Sequence, residues 1–168
     1  MESDKSYENY PFWIVIISNL VSLTIYALGF YIIAGIGLIA AFLYLAFILA
    51  FEFRLIRYHC TNCYYYGKTC AFGRGRVSSW FFKKGDQTKF YVRDMSWKEL
   101  IPDLLLVLIP LVIGIFLLII KFDVVLLLAI ILLIILATAG SGFIRGQLAC
   151  RYCKQRESGC PAEKLFKK

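Results

Sequence analysis

Residues 11–51 read PFWIVIISNLVSLTIYALGFYIIAGIGLIAAFLYLAFILAF, a stretch of 41 residues without Asp, Glu, Lys, Arg or His. A helix needs about 20 apolar residues to cross the hydrocarbon core of a bilayer. The stretch therefore predicts two membrane-spanning helices joined by a short turn. Hydrophobic residues make up 60% of the whole chain, which is above the share expected for a soluble domain.

A second apolar stretch follows the same plan. Residues 104–120 and 124–144 are uncharged, and Lys121 and Asp123 interrupt them. Ser96-Trp97-Lys98-Glu99 has the form of a capping box, which predicts the start of the third helix there. The four apolar runs lack the polar face that the helices of a soluble bundle would show. The predicted fold class is therefore an all-α integral membrane protein with four transmembrane helices.

The N-terminal residues do not resemble a signal peptide. Residues 1–10 carry three acidic residues and one lysine, whereas a signal peptide begins with a positively charged region. We therefore expect the first helix to remain in the mature protein.

The six cysteines form two triplets of the form Cys-x2-Cys-x6-Cys, repeated at an offset of 90 residues and each placed after an apolar hairpin. The triplets are Cys60, Cys63 and Cys70, and Cys150, Cys153 and Cys160. This spacing predicts two tandem hairpin repeats. Residues 1–78 form repeat 1 (hairpin about 11–56, triplet 60–70), residues 79–96 form a linker, and residues 97–168 form repeat 2 (hairpin about 97–146, triplet 150–160).

The repeat also predicts where the first hairpin turns and where the triplets meet. An offset of 90 maps Lys121–Asp123 onto Tyr31–Ile33, so the first turn is expected there. Two parallel repeats imply a pseudo-two-fold axis along the membrane normal. Such an axis would bring the two cysteine triplets together on one face.

Basic residues predict the orientation in the membrane. Of 19 Lys and Arg, only Lys121 is expected on the side opposite the termini. Because basic residues accumulate on the cytoplasmic side, both termini and both triplets are predicted to be cytosolic. Thiols stay reduced in the cytosol, and disulfides are rare there. An outward orientation, which would permit three disulfides, requires this charge bias to be reversed.

Three cysteines are one ligand short of a closed structural zinc site, which takes four. Each triplet could recruit an outside ligand, or the two triplets could pool six thiolates around two metal ions with two sulfurs shared. His59 is the only histidine and directly precedes Cys60. Adjacent residues seldom point at one metal, and Ala149 takes the equivalent place in the second triplet. A supporting or solvent-facing role is therefore favoured for His59.

The cysteine spacing resembles that of the fungal binuclear zinc cluster, the Zn2Cys6 family. The resemblance implies two zinc ions bridged by Cys60 and Cys150, with the other four cysteines as terminal ligands. Lys68, Lys154 and Arg156 stand where that family carries basic residues. The resemblance covers only about 11 residues in each half, and 79 residues separate Cys70 from Cys150. The family's DNA binding is therefore not expected here.

Other thiol chemistry stays open. Iron–sulfur clusters are also held by cysteines, although neither triplet has the usual ferredoxin spacing. A thiol redox enzyme would use one Cys-x2-Cys pair, but the third cysteine at the same spacing in both copies argues against this. A carrier of soft metals would need cysteines within the helices. We therefore expect zinc, with an iron–sulfur cluster as the alternative.

Residues 72–93, FGRGRVSSWFFKKGDQTKFYVR, combine basic and aromatic side chains. This composition is typical of a segment at the level of lipid headgroups. The candidate contacts with anionic lipid are Arg74, Arg76, Trp80, Lys83 and Lys84. Nucleic acid is not favoured, because an anionic membrane surface already accounts for these residues. Gly67-Lys68-Thr69 resembles the end of a P-loop, but the earlier glycine spacing and the preceding strand are absent.

Three function classes follow from the sequence. The first is a zinc-stapled membrane module whose basic aromatic surface meets lipid headgroups, a protein partner or a second copy of the chain. The second is a membrane redox protein. The third is a lipid-acting enzyme or carrier with a site near Glu52, Asp103 and residues 80–84. No catalytic constellation supports the third class, and enzyme status stays open. We expect an ion pair at Glu52 and a helix-end role for Asp103.

Overall fold

A computed structural model describes residues 6–86, 88, 97–157 and 160, and these residues are helical without any strand. The α-helices are α1 (Phe12–Ala34), α2 (Leu38–Tyr58), α3 (Arg74–Phe81), α4 (Trp97–Ile120), α5 (Val124–Ile135) and α6 (Ser141–Phe143). Short 3₁₀ turns cover Cys60–Asn62 and Lys154–Arg156, and π-helical segments cover Leu136–Gly140 and Ile144–Cys150.

Four helical segments are long and apolar enough to cross a membrane, as the sequence predicts. They are Phe12–Ala34, Leu38–Asn62, Ile101–Ile120 and Val124–Cys150. Helix α4 begins at Trp97, in agreement with the predicted start. The proposed cap at Ser96 lies outside the described residues.

The two turns within the hairpins differ in how well the sequence predicts them. The second lies at Lys121–Asp123 as predicted, and the Asp123 carboxylate caps α5 by accepting the Val125 N–H at 2.9 Å. The first was predicted at Tyr31–Ile33, which is wrong because these residues are helical. Helix α1 continues to Ala34, and the chain turns through Gly35–Gly37 instead.

The fourth span changes its helical winding near its end. After α5, residues Leu136–Gly140 and Ile144–Cys150 are wound as π-helix. The Thr138 hydroxyl donates to the Ile134 carbonyl at 2.7 Å. Wider π turns are uncommon and often lie at functional sites. Here the second π segment ends at Cys150, the first residue of the second triplet.

The chain divides into two compact units, and each draws segments from both halves of the sequence. The cysteine unit comprises residues 1–19, 52–96 and 143–168, and the apolar unit comprises residues 20–51 and 97–142. The core of the apolar unit is built from aliphatic side chains of α1 and α5, with α4 packed against them. Its buried residues are Ile25, Ile32, Leu126, Ala129, Ile130 and Leu133.

A buried tyrosine joins three helices of the apolar unit. The Tyr44 hydroxyl on α2 donates to the Leu106 carbonyl on α4 at 2.7 Å. Its ring lies against Gly29 of α1, where a Cβ atom would be 2.5 Å from the hydroxyl oxygen. Small residues allow such close packing between membrane helices.

We predict that Gly29→Ala destabilises the protein by about 1–3 kcal/mol, because the added methyl group would displace the Tyr44 ring. The measurement is thermal unfolding of the purified protein in detergent. Gly37→Ala is the matched control, because a Cβ at Gly37 meets no atom within 4 Å, and it should change stability by less than about 0.5 kcal/mol. Equal melting of the two variants would contradict the packing described here.

Candidate metal centre

The two Cys-x2-Cys pairs are built as the same turn. In each pair the N–H of the second cysteine donates to the carbonyl of the first. The distances are 3.4 Å from Cys63 to Cys60 and 3.3 Å from Cys153 to Cys150. Both second cysteines have extended backbone. The two halves of the sequence therefore agree in local structure where their spacing agrees.

Reciprocal hydrogen bonds join the two triplets. The Tyr65 hydroxyl accepts the Lys154 N–H at 3.0 Å, and the Gln155 side-chain carbonyl accepts the Tyr64 N–H at 2.6 Å. Tyr65 and Gln155 are equivalent at the offset of 90, and so are Tyr64 and Lys154. Both accepting side chains are buried, with 1% and 2% of their surface exposed. We call these two contacts the reciprocal hydrogen bonds.

The cysteine thiols lie within electrostatic range of one another. Cys60 interacts with Cys63 and Cys70 in the first triplet, and Cys150 interacts with Cys160 in the second. The interactions that cross between triplets join Cys63 to Cys153 and Cys160. Each of the six thiols therefore lies within electrostatic range of at least two others.

Burial and mutual repulsion disfavour charge on these thiols. Burial raises the pKa of Cys63 to about 11, with a further increase from the Cys70 and Cys160 thiols that nearby N–H groups partly offset. Burial likewise raises the pKa of Cys153 to about 12, and neighbouring thiols contribute. A bound cation would reverse this preference, because it stabilises thiolates.

The cysteines are free thiols, and no disulfide joins them. Cys150 is exposed and the other five are partly buried. Within residues 6–86, 97–157 and Cys160, no group of three or more His, Cys, Asp and Glu side chains is arranged so that it could hold a metal ion. The metal ligands, the zinc ions and the iron–sulfur alternative therefore stay predictions, as does the supporting role of His59.

The N-terminal segment also contacts both triplets. The Tyr7 N–H donates to the Tyr152 carbonyl at 3.0 Å, next to an isolated parallel bridge between Tyr7 and Cys153. On the other side, the Tyr65 hydroxyl donates to the Tyr7 carbonyl at 2.6 Å. Tyr7 thus lies between the two triplets.

Tyr10 and its neighbours repeat this bridging. The Tyr10 N–H donates to the Thr69 carbonyl at 2.9 Å, and Asn9 accepts the Thr69 N–H at 3.0 Å. The Tyr10 hydroxyl donates to the Ala149 carbonyl, and burial raises the pKa of this hydroxyl. Sequence reasoning missed this role of the N-terminal segment. The only signal was a pair of tyrosines in an otherwise polar tail.

A surface ion pair adds to the same contact. Glu8 lies 2.9 Å from the Lys154 ammonium group. The hydrogen bond to Lys154 is the main cause that lowers the pKa of Glu8, and the pKa of Lys154 is raised in return. Exposed pairs contribute little stability, so the buried tyrosine contacts carry most of the attachment.

Gly75 supports the third cysteine of the first triplet. Its N–H donates to Cys70 Sγ at 3.4 Å, and its carbonyl accepts the Gly67 N–H at 2.9 Å. A Cβ at Gly75 would collide with the Tyr65 carbonyl oxygen and lie 2.7 Å from that of Lys68. The close contact of Gly75 with Cys70 was not predicted from the sequence.

Three arginine side chains lie within electrostatic range of cysteine thiols. Arg74 lies 2.5 Å from Glu52, which confirms the predicted ion pair, and its charge also acts on Cys60. Arg145 and Arg156 lie within electrostatic range of Cys150. These cations would offset the negative charge of a cluster of thiolates.

The basic aromatic segment begins with α3. Trp80 and Phe81 are both 71% exposed. Phe82 packs against Phe53 with ring centroids 5.3 Å apart, which fixes the end of the helix. The basic candidates Arg76, Lys83 and Lys84 are exposed, and Arg74 is partly buried. Gln87 and residues 89–96 of the predicted linker lie outside the described residues.

Comparison with protein-family models, curated proteins and solved structures finds no match. The likeness to the Zn2Cys6 family is therefore a likeness of cysteine spacing. The geometry described above provides the evidence about function.

We predict that Gly75→Ala lowers the thermal midpoint by at least about 5 °C, because backbone atoms would have to move to admit the methyl group. Cys70 should also react faster with a maleimide, since its sulfur loses the Gly75 N–H. Mass spectrometry of the labelled protein measures this reaction. Gly146→Ala is the control, because a Cβ there meets no atom within 4 Å. Unchanged melting and unchanged Cys70 labelling in Gly75→Ala would show that the tight contact is not required.

Proposed function

We propose that the chain is a membrane protein in which six cysteine thiolates form one structural metal site, preferentially for two zinc ions. The site would tie the ends of two tandem hairpin repeats and the N-terminal segment together at the cytosolic face. The basic aromatic segment would lie beside it and contact anionic lipid headgroups. The reciprocal hydrogen bonds carry this proposal.

The reciprocal hydrogen bonds support a paired site because each triplet uses the equivalent residue to contact the equivalent backbone group of the other. Two-fold symmetry has this property: when a residue of one half contacts a residue of the other half, the two equivalent residues make the same contact with the halves exchanged. Two independent three-cysteine sites would not need such an arrangement. The backbone hydrogen bond that the two Cys-x2-Cys pairs have in common supports the same repeat.

Ligand counting then favours two metal ions. Two four-coordinate ions with two shared sulfurs use six cysteines, and zinc prefers this tetrahedral coordination. Six thiolates and two Zn²⁺ leave about two negative charges by counting deprotonated ligands. Arg74, Arg145 and Arg156 are placed to compensate them. The electrostatic interactions between the triplets involve Cys63. The fungal spacing instead implies that Cys60 and Cys150 bridge the two ions. We therefore propose six ligands without assigning the bridging sulfurs.

Metal binding would draw the thiols closer together than they lie in the described arrangement. The energy of binding metal to thiolates then becomes energy that stabilises the fold. A ligand that binds only the folded chain stabilises it, and the gain grows with the logarithm of ligand concentration over the dissociation constant. The site would thus act as a removable crosslink between segments that are far apart in sequence.

The cytosolic placement rests on charge. Of the 19 basic residues, 15 lie outside the four spans in segments that would share the side of the termini, three lie within the ends of spans, and Lys121 lies in the turn between the third and fourth spans. Basic loops remain in the cytosol. The exposed Trp80 and Phe81 with Lys83 and Lys84 suit the interface between water and hydrocarbon. Each basic residue near an anionic surface contributes about 1 kcal/mol of attraction.

We predict that the protein purified in detergent without added metal is colourless and holds two zinc ions per chain. Removing zinc with a chelator should lower the thermal midpoint, because the metal crosslink is lost. Cys160→Ser should reduce occupancy of both ions, since pooled sulfurs serve both. Elemental analysis and calorimetry measure these results, with Ser79→Ala as a control that leaves every cysteine in place.

Three outcomes would contradict this prediction. A brown sample that contains iron would indicate an iron–sulfur cluster instead of zinc. Loss of a single ion in Cys160→Ser would show that each triplet works alone. Metal-free protein with disulfides would overturn both the cluster and its cytosolic placement.

We predict that anionic lipid draws the Trp80 side chain toward the bilayer. In protein with Trp13→Phe and Trp97→Phe, brominated lipids should quench Trp80 fluorescence, and more strongly when anionic lipid replaces zwitterionic lipid. Reversing the charges with Lys83→Glu and Lys84→Glu should remove this dependence on lipid charge. Lys121→Glu, at the opposite hairpin turn, should leave it intact. If quenching in the protein that keeps Lys83 and Lys84 does not depend on lipid charge, the proposed contact with anionic headgroups is wrong.

A further inference from the structure

Gln155 places a polar amide beside the cysteines. Only 2% of its surface is exposed. Its Oε1 accepts the Tyr64 N–H at 2.6 Å and lies 3.6 Å from Cys63 Sγ, within reach of a sulfur hydrogen bond. The amide group of Gln155 therefore contacts the first triplet although the residue belongs to the second.

The other end of this amide is unpaired. Gln155 Nε2 is buried and has no hydrogen-bond partner among the residues that the structure describes. Leaving a buried donor without a partner destabilises the folded state. Buried polar groups in proteins are nearly always hydrogen-bonded, so an unpaired one needs a specific explanation.

The equivalent residue of the first repeat does not share this feature. The Tyr65 hydroxyl accepts the Lys154 N–H and donates to the Tyr7 carbonyl, so its hydrogen-bonding capacity is used. The reciprocal hydrogen bond of Gln155 needs only Oε1. The Nε2 donor therefore has no part in joining the triplets.

We propose that Gln155 Nε2 donates to a metal-bound cysteine sulfur and thereby positions and tunes the metal site. This inference rests on the six-cysteine site proposed above. A sulfur bound to a metal accepts hydrogen bonds, and its charge strengthens them. Groups that hold metal ligands in this way typically change metal affinity 10–100-fold when they are replaced. Gln155 is a positioning residue and binds no metal itself.

The experiment uses the full chain in detergent with Co²⁺ as a spectroscopic substitute for zinc. Gln155→Glu keeps the length and the accepting oxygen of the side chain but removes the N–H donor. It should weaken Co²⁺ and Zn²⁺ binding by about tenfold or more and shift the thiolate-to-cobalt absorption band. Gln155→Met, which removes both polar atoms, should shift the band as well and serves if the Glu variant fails to fold.

Tyr66→Phe is the control for the loss of one hydrogen bond in the same unit, because the Tyr66 hydroxyl donates to the Phe82 carbonyl at 2.6 Å. It should lower thermal stability without moving the band. Gln155 variants with parental affinity and an unshifted band would overturn the role of Gln155 while leaving the cluster in place. A parent protein that binds neither Co²⁺ nor Zn²⁺ would overturn the cluster itself.

Discussion

The reciprocal hydrogen bonds are the constraint on which the cysteine unit depends. They satisfy two backbone N–H groups that the turns after Cys63 and Cys153 leave without helical partners, and they do so with buried side chains from the opposite triplet. A buried unpaired N–H is costly, so separating the triplets would require water to reach both groups. The N-terminal segment reinforces the contact, because Tyr7 hydrogen-bonds to Tyr65 and to Tyr152.

The spanning helices could be predicted because their signal is local. Runs without charge define four spans, and the charged residues at Lys121–Asp123 define one turn. The first turn was predicted at the wrong place because the 90-residue offset of the cysteines was applied to the hairpins as well. The two hairpins share few identical residues. The turn lies at Gly35–Gly37, four residues beyond the predicted start. This displacement is close to one helical turn, so the apolar pattern alone could not reveal it.

The sequence indicated which cysteines to consider, but it did not reveal the residues that contact them. Equal cysteine spacing indicated that the triplets meet, and Glu52 was expected to form an ion pair. The roles of Gly75, Gln155 and Tyr10 arise from contacts between residues far apart in the chain. A glycine pressed against two carbonyl oxygens looks in sequence like any other glycine. The π-helical end of the fourth span was likewise not predicted from the sequence.

Tyr65 and Gln155, which are equivalent at the offset of 90, make corresponding contacts with different side chains. Each side chain supplies an oxygen that accepts a backbone N–H of the other triplet. The two halves therefore pair in the same way although the residue types differ. The donor groups of the two side chains differ. The Tyr65 hydroxyl donates to the Tyr7 carbonyl, whereas the Gln155 amide nitrogen has no partner among the described residues. On the offset of 90, Tyr7 corresponds to Trp97, where α4 begins. Among the described residues no carbonyl accepts from the Gln155 amide nitrogen, whereas the amide oxygen lies 3.6 Å from Cys63 Sγ.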